Sequence, residues 1–205
     1  MSEPTAANPS PSPAPSAVSG IADPGPLGLA GFAMTTMALS LWNANIYPAA
    51  VSSAVALALA YGGGAQLLAG MWEFKRGNTF AATAFSSYGA FWLAFWYLAE
   101  HILPTAKPAD VPSIVGTFLV GWTLFTFYMA IAALRVNGAV LAVFVLLTIA
   151  FVLLTIGNYR SNLTCVHWGG YIGLATAGAA WYTSFAGVAN STFGKPIIPV
   201  WPLNG

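Results

Sequence analysis

Charged residues are scarce in this chain of 205 residues: Asp, Glu, Lys and Arg make up 5% of it, whereas 58% of its residues are hydrophobic. Soluble globular proteins ordinarily have about a quarter of their residues charged. A chain with so few charges cannot form the polar surface that a water-soluble fold requires. The composition therefore excludes an ordinary soluble domain and indicates an integral membrane protein.

The sequence also lacks the residues that several functions require. Its formal net charge of +1 provides no basic surface for nucleic acid. Its single cysteine, Cys165, excludes an internal disulfide framework and a cysteine-based metal site. No carboxylate pair and no metal-ligand spacing accompanies His101 or His167. We therefore predict a protein that is not an enzyme and has no cofactor or metal. A membrane enzyme that uses Cys165 and His167 is the alternative from another class.

What the sequence does contain is a set of long apolar windows. A bilayer core about 30 Å thick requires roughly 20 residues of helix. Six windows of about this length cover residues 27–47, 51–72, 80–103, 113–134, 139–156 and 166–186. We therefore predict an all-α integral membrane protein with six transmembrane helices in a domain that covers residues 23–190. Residues 1–22 are predicted to be a disordered tail rich in Pro, Ser and Ala, and residues 191–205 a C-terminal tail.

The distribution of positive charge predicts the orientation of these spans. An even number of spans places both termini on one side of the membrane. The segments on that side contain four of the six basic residues, Lys75, Arg76, Arg135 and Lys195, whereas the opposite loops contain Lys107 and Arg160. Because cytoplasmic loops are enriched in Lys and Arg, we predict cytoplasmic termini and a multi-pass protein of the cell membrane.

Charge is absent from the predicted centres of the spans, although uncharged polar groups are present there. Thr36 and Asn43 lie in the first span, Gln66 in the second, and Thr83 and Ser87 in the third. Ser and Thr often bond only to their own helix, but a Gln side chain in lipid requires a cavity or a neighbouring helix. This pattern favours a small neutral or weakly anionic solute over one that is bound by buried salt bridges.

The stretch DPGPLGLAGF, residues 23–32, stands directly before the first apolar window. In one interpretation its prolines and glycines prevent a regular helical start, so that the backbone N–H groups of residues 27–31 are available to an anion. In the other interpretation the stretch is a proline-started first turn that packs tightly. The residues alone do not decide between the two.

This stretch, followed by Met34, Thr35 and Thr36, resembles the NPAPLGL-type signature of the acetate uptake transporter family. That family includes bacterial succinate–acetate permeases and fungal ammonia and acetate exporters. The segment YGGGAQLLAGMWEFKRGNTFAATAFSSYGAFW, residues 61–92, is similar to the family's second block. LLTIGN and HWGGYIGL, at residues 153–158 and 167–174, resemble its later landmarks. The resemblance extends over about residues 23–195 in the same order.

The resemblance implies a homo-hexamer in which each protomer encloses its own substrate path and is surrounded by membrane lipid. It also implies a constriction formed by Phe32, Tyr88 and Leu147, and places Gln66 and Ala180 along the path. Together with the polar span residues and the first motif, the predicted substrate-binding set is Pro26, Leu27, Gly28, Leu29, Thr36, Asn43, Gln66, Thr83, Ser87 and Ala180.

The implied function is membrane transport of acetate, extending to other short carboxylates such as succinate. The transport is expected to be linked to protons or to proceed as the protonated acid. Without a charged residue at a span centre, the sequence favours the protonated acid, or cotransport through water, over a buried carboxylate relay. A passive channel for ammonia, formate or another small solute is the alternative within transport. One departure is notable: Asp23 replaces the family's Asn, and we predict that Asp23→Asn increases the apparent affinity for acetate.

Overall fold

The structure, a computed structural model, describes residues 20–203, which fold into six helical spans. Seven α-helices form these spans: α1 (Gly25–Asn43), α2 (Ala50–Leu59), α3 (Gln66–Arg76), α4 (Thr79–Tyr97), α5 (Val111–Ala133), α6 (Gly138–Tyr159) and α7 (Leu163–Thr192). The helices α2 and α3 belong to one span because the π-helical turn Ala60–Ala65 joins them. A second π-helical turn, Leu98–Ile102, and a short 3₁₀ helix, Leu103–Thr105, extend α4. The predicted all-α fold with six spans is confirmed.

Asparagine side chains cap the N-termini of three helices. The Oδ1 atoms of Asn78, Asn137 and Asn162 accept hydrogen bonds from backbone N–H groups three residues later, in the first turns of α4, α6 and α7. Such caps satisfy donors that a helix start leaves without partners. The turn between α3 and α4 also requires Gly77, which ends α3 in the left-handed conformation at φ 75°.

The outer surface of the bundle is apolar, as a membrane requires. The helix Ala50–Arg76, α5 and α6 are long and apolar enough to cross a bilayer, and α6 reaches a mean hydropathy of 3.0 over its most apolar window. Large apolar side chains point away from the bundle along these and other helices, for example Leu124 at 64% exposure, Phe127 and Phe185. A surface of this kind is stable against lipid but not against water.

Glycines allow α7 to lie directly against its two neighbours, α1 and α6. A Cβ atom on Gly170 would lie 2.7 Å from the Cα of Ala44 at the end of α1, and one on Gly169 would lie 2.7 Å from Leu154 Cγ in α6. Gly169 and Gly170 therefore let α7 pack against α6 and α1 within the chain. Close backbone approach of this kind is the usual basis of association between membrane helices.

Aromatic rings fill the opposite part of the bundle, between α4 and α5. The centroid of the Phe91 ring lies 5.0 Å from that of Trp122 and 5.4 Å from that of Phe118. Tyr88, one turn before Phe91, faces Phe125 edge-on at 5.3 Å. This cluster joins α4 to α5 and provides the rigid wall against which Tyr88 is held.

The C-terminal segment folds back over one end of the bundle. The Asn190 Oδ1 atom accepts hydrogen bonds from the backbone N–H groups of Ile197 and Ile198. The Tyr182 hydroxyl donates to the Pro199 carbonyl at 2.7 Å, and the Gly138 N–H donates to the Trp201 carbonyl at 2.7 Å. The described part of the predicted tail, residues 191–203, is therefore held against the ends of α6 and α7.

One end of the bundle thus contains both ends of the described chain. Asp23, just before α1, pairs with Arg76 at the end of α3, and Ser184 in α7 donates a hydrogen bond to the Pro26 carbonyl at 2.7 Å. We call this end the terminal side and the opposite end the far side. The basic residues at the end of α3 and in the loop between α5 and α6 lie on the terminal side.

Candidate functional site

A cavity of about 370 Å³ enters the bundle from the terminal side. It is lined by residues of α1, α3, α4, α6 and α7, and also by Val200 of the C-terminal segment. Three of its lining residues are charged: Asp23, Glu73 and Arg76. The amide side chains of Gln66, Asn78 and Asn190 line it as well. We call this space the charged cavity.

A smaller pocket of about 40 Å³ lies further along the bundle, toward the far side. Its polar lining consists of Thr36, Ser40 and Asn43, all buried and all on α1, and Gly169 and Gly173 form part of its wall on α7. None of its lining residues is charged. We call this space the polar pocket.

A layer of large apolar side chains separates the two spaces. Phe32 and Leu147 line both of them, and Tyr88 lines the charged cavity beside them. All three are buried at 5% exposure or less. The Phe32 and Tyr88 ring centroids are 5.7 Å apart. The predicted constriction residues are therefore neighbours at the boundary between two polar spaces, where an apolar layer opposes the passage of hydrated ions.

The Tyr88 ring is fixed from several directions. Its hydroxyl forms a hydrogen bond of 2.9 Å with the buried Thr126 side chain on α5. Its ring packs against Trp122 and Phe125 of α5 and against Phe144 of α6. A buried phenol with a partner for its hydroxyl is held in one position. Movement of the constriction therefore requires movement of Phe32 or Leu147, or of α4 and α5 together.

The mouth of the charged cavity is an ion-pair cluster. Arg76 Nη1 pairs with Asp23 Oδ1 and also lies 3.7 Å from Glu73 Oε2. Asp23 Oδ1 accepts a second hydrogen bond, from the Gly25 N–H at 3.0 Å. The side chains of Asp23 and Arg76 are 50% and 34% exposed, whereas that of Glu73 is 1% exposed. One guanidinium is thus shared by an exposed and a buried carboxylate.

Two side chains of α3 that line this cavity each have a buried oxygen atom without a hydrogen-bond partner. The two atoms are Gln66 Oε1 and Glu73 Oε2. Seven residues separate them, which is two helical turns, so both side chains lie on one face of α3 about 10 Å apart along its axis. A Cβ atom on Gly31 would lie 3.7 Å from Gln66 Cβ, which places Gln66 beside the constriction. Gln66 thus lines the charged cavity, and its contact with a substrate stays a prediction.

The other predicted binding residues divide into three groups. Pro26 and Leu29 line the charged cavity, and Thr36 and Asn43 line the polar pocket. Ala180 is fully buried and lines neither space. It lies seven residues from both Gly173 and Gly187, so it shares their face of α7 between the two spaces. Leu27 is 44% exposed and also lines neither space.

Thr83 and Ser87 lie away from both spaces. Neither lines the charged cavity or the polar pocket; Ala81, Ala84, Phe85 and Tyr88 of the same helix line the charged cavity instead. These four follow the i, i+3, i+4, i+7 spacing of one helix face. Thr83 and Ser87 fall on another face of α4, and their place on a substrate path stays a prediction.

The structure contradicts the irregular helical start predicted for the first motif. The helix α1 begins regularly at Gly25, with Pro26 in its first turn, where a missing N–H group costs nothing. The Gly28 N–H donates to the Pro24 carbonyl at 3.0 Å. A Cβ atom on Gly28 would lie 2.7 Å from the Phe85 ring. The proline-started, tightly packed turn is therefore correct, and the N–H groups from residue 28 onward are used within the helix.

Glu73 is not among the site residues predicted from the sequence, although it is buried and lines the charged cavity. Glu73 stands at the end of its span, beside Lys75 and Arg76, and a charged cluster of this kind normally faces water. The seven-residue spacing from Gln66 was the available signal, because it places both residues on the same helix face. No group of His, Cys, Asp and Glu suited to a metal occurs among residues 20–203.

Comparisons with known proteins extend these observations. The model of the GPR1/FUN34/yaaH family matches residues 5–205. The chain is 40% identical over 182 residues to the succinate-acetate/proton symporter SatP of Escherichia coli K12, a match that covers 88% of this chain and 95% of that protein. It also resembles a solved structure of the bacterial acetate channel SatP, with a TM-score of 0.83 and 38% identity over 88% of this chain and 99% of the other.

Fungal proteins are similar over most of this chain. Acetate permease A of Emericella nidulans is 42% identical over 198 residues, and the ammonia transport outward protein 2 of Saccharomyces cerevisiae is 39% identical over 182 residues. These matches cover 87% and 86% of this chain but 65% and 64% of the fungal proteins. The chain thus spans about two thirds of the length of the fungal relatives, and nearly the full length of the bacterial one.

Proposed function

Because this chain belongs to the GPR1/FUN34/yaaH family, we propose that it transports acetate, and with it other short carboxylates such as succinate, across a membrane. The observation that carries the proposal is the pair of polar spaces on either side of one apolar layer. Such an arrangement is a path interrupted at a single level, and it has room for a small solute in the charged cavity. The names of the bacterial relative and of the acetate permease support the choice of solute.

In the proposed sequence of events, the carboxylate enters from the terminal side or leaves by it through the charged cavity. Gln66, with an oxygen that lacks a partner, is positioned beside the constriction to contact the solute before it passes. The layer of Phe32, Tyr88 and Leu147 controls passage, and Thr36 and Asn43 receive the solute in the polar pocket. Linkage to protons is part of the proposal, supported by the symporter name of the bacterial relative.

The experiment that tests the function is uptake of radiolabelled acetate by proteoliposomes that contain the purified full chain. We expect uptake above that of protein-free vesicles, saturation with acetate, and competition by propionate and succinate. Uptake that does not saturate and is not inhibited by these carboxylates, but that accompanies methylammonium uptake, supports the passive channel instead. The name of the yeast relative makes this second outcome the relevant comparison.

Orientation and assembly belong to the same proposal. With Lys75, Arg76, Arg135 and Lys195 on the terminal side, the terminal side faces the cytoplasm of a cell-membrane protein. The proposed assembly is a homo-hexamer in which the apolar outer faces contact lipid and neighbouring protomers. Labelling of single cysteines, introduced at Lys195 and Lys107 in a Cys165→Ser background, tests the orientation in intact cells. Native mass spectrometry of the detergent-solubilised chain tests the assembly.

A further inference from the structure

We infer that Glu73 is the proton-donating residue of this transporter: it binds a proton from the terminal side and transfers it to the substrate carboxylate in the charged cavity. The inference rests on the proposed function and adds a residue and a step to it. It starts from a juxtaposition. Glu73 lines the space that a solute entering from the terminal side crosses before the apolar layer, and its carboxyl group has a buried oxygen without a hydrogen-bond partner.

The charge balance at the mouth of the cavity is the first argument. Asp23 and Glu73 share one cation, Arg76. The shorter contact of Arg76 is with Asp23, whereas Glu73 Oε2 lies 3.7 Å away. Fully ionised, the cluster carries one negative charge in excess, and this excess repels an entering carboxylate. Protonation of Glu73 removes the excess and converts the bare oxygen into a hydroxyl donor for the solute.

No other buried carboxyl group lines the charged cavity. Asp23 precedes α1 and is half-exposed, and Arg76 follows Glu73 on α3. Among the described residues of α4, α6, α7 and the C-terminal segment that line the cavity, none is Asp, Glu, Lys, Arg or His. The amides of Gln66, Asn78 and Asn190 also line the cavity but cannot carry a proton. Glu73 is therefore the only buried carboxyl among the residues lining the described path.

The apolar layer is the reason why the substrate must be protonated before it crosses. An anion that crosses between Phe32, Tyr88 and Leu147 loses its water without gaining a counter-charge, which is costly. The transfer is Glu73-COOH + CH3COO⁻ → Glu73-COO⁻ + CH3COOH, in which one O–H bond breaks and another forms. The neutral acid then crosses the layer past Gln66, and Glu73 takes up the next proton from water on the terminal side. One proton thus accompanies each carboxylate.

The pH dependence of acetate uptake tests the step with Glu73→Gln, which keeps the shape but cannot donate a carboxyl proton. At about pH 5 much of the acetate in solution already carries its proton, whereas at about pH 7 almost none does. We expect E73Q to reduce protein-dependent uptake at least about tenfold at pH 7 but less than about twofold at pH 5. Rates are measured in proteoliposomes, with those of protein-free vesicles subtracted.

Two further variants keep the test decisive. Glu73→Asp retains a carboxyl group, and we expect its ratio of uptake at the two pH values to stay near that of the unmodified chain. Asp110→Asn removes an exposed carboxylate that does not line the charged cavity and should also leave this ratio unchanged. If E73Q does not fold, Glu73→Asp and Glu73→Asn are compared instead, because these two side chains have the same size and only the first has a carboxyl group.

The inference is overturned if E73Q takes up acetate normally at pH 7, or if it loses the same factor at both pH values, as a purely structural residue would. It is also overturned if Glu73→Asp shows the pH profile of E73Q. Failure of the proposed function is a different result, since the unmodified chain would then show no acetate uptake above protein-free vesicles at either pH.

Discussion

The charged cavity and the polar pocket meet the same apolar layer but differ in size and chemistry. The charged cavity has about 370 Å³ and an ion-pair cluster that includes exposed side chains, whereas the polar pocket has about 40 Å³ and buried hydroxyl and amide groups on α1. Of the two spaces, only the charged cavity, which reaches the surface, has charged lining residues. Buried charges without partners are costly. In the proposed path, the space on the terminal side is therefore wide and open to the surface, and the space toward the far side is narrow.

In the mechanism that we propose, the two spaces have separate tasks. A group that binds and releases protons requires access to water, and the charged cavity has exposed side chains, Asp23 and Arg76, at its mouth. The polar pocket suits a neutral solute in this mechanism, because Thr36, Ser40 and Asn43 offer hydrogen bonds without charge. Perturbing the shared layer or either space should therefore have different consequences for transport and for stability.

Phe32→Ala should have the largest effect because it removes a side chain that lines both spaces. We expect the two spaces to merge and uptake of a bulkier carboxylate, lactate, to rise about tenfold relative to acetate. The loss of a buried ring should also lower the free energy of unfolding by about 3–5 kcal/mol. The ratio of lactate to acetate uptake in proteoliposomes measures the first effect, and thermal unfolding in detergent measures the second.

The matched control is Phe127→Ala, which removes a ring on the outer face of α5 that is 56% exposed. It should leave the uptake ratio unchanged. A folded Phe32→Ala chain with unchanged selectivity would show that the barrier between the two spaces lies at other residues.

Gly170→Ala should have the next largest effect, by disturbing the wall of the polar pocket. The added Cβ would lie 2.7 Å from the Ala44 Cα and from the Asn43 carbonyl carbon, so the end of α1 must move away from α7. Backbone atoms cannot rotate aside, and we expect a loss of about 1–3 kcal/mol in unfolding free energy. Acetate uptake should fall because Asn43 is displaced. The melting temperature and the initial uptake rate are the measurements.

Gly178→Ala on the same helix is the control, because nothing lies within 4 Å of a Cβ atom at that position. Here alanine should leave stability unchanged or raise it by about 0.5–1 kcal/mol, since glycine is a poor helix former. Equal destabilisation by both substitutions would contradict close α1–α7 packing as the cause.

The two spaces also show which features of the fold and of the site can be predicted from the sequence. Apolar length predicts six spans, and Gln66 is predicted to face a cavity because its amide cannot satisfy itself in lipid. Residue type does not predict that Thr83 and Ser87 line neither space, because the direction of a side chain depends on how α4 is rotated in the bundle. Residue type also does not predict that Glu73, which stands in a charged cluster at the end of its span, is buried. The C-terminal segment is unpredictable for a related reason: its hydrogen bonds with Asn190, Tyr182 and Gly138 join residues that only the fold brings together.

Tyr88→Phe should have a moderate effect confined to the wall of the charged cavity. It removes the hydroxyl that bonds to Thr126 at 2.9 Å and keeps the ring that forms the constriction. We expect a loss of about 1 kcal/mol in stability, because a buried Thr hydroxyl loses a partner. Selectivity for acetate over lactate should be retained. Tyr128→Phe, on an exposed ring of α5, should change neither quantity; a larger lactate uptake in Tyr88→Phe would mean that the hydroxyl itself limits the opening.

Asp23→Asn should have the smallest effect, and it tests how the charged mouth receives an anion. The structure adds a reason to the earlier expectation of higher affinity: Asp23 occupies Arg76, so its removal frees a guanidinium as well as removing a negative charge. Exposed ion pairs contribute about 0–1 kcal/mol. We therefore expect the apparent acetate affinity at neutral pH to rise about two- to threefold, with little change in melting temperature.

Asp110→Asn is the matched control, because Asp110 is an exposed carboxylate before α5 that makes no side-chain cap there. It lies on the far side, away from the charged cavity, and should leave acetate affinity unchanged. An unchanged affinity in Asp23→Asn would mean that Arg76 stays engaged with Glu73 after Asp23 is gone. The carboxylate that matters at this mouth would then be the buried one, and the exposed aspartate would only hold the start of α1 against the end of α3.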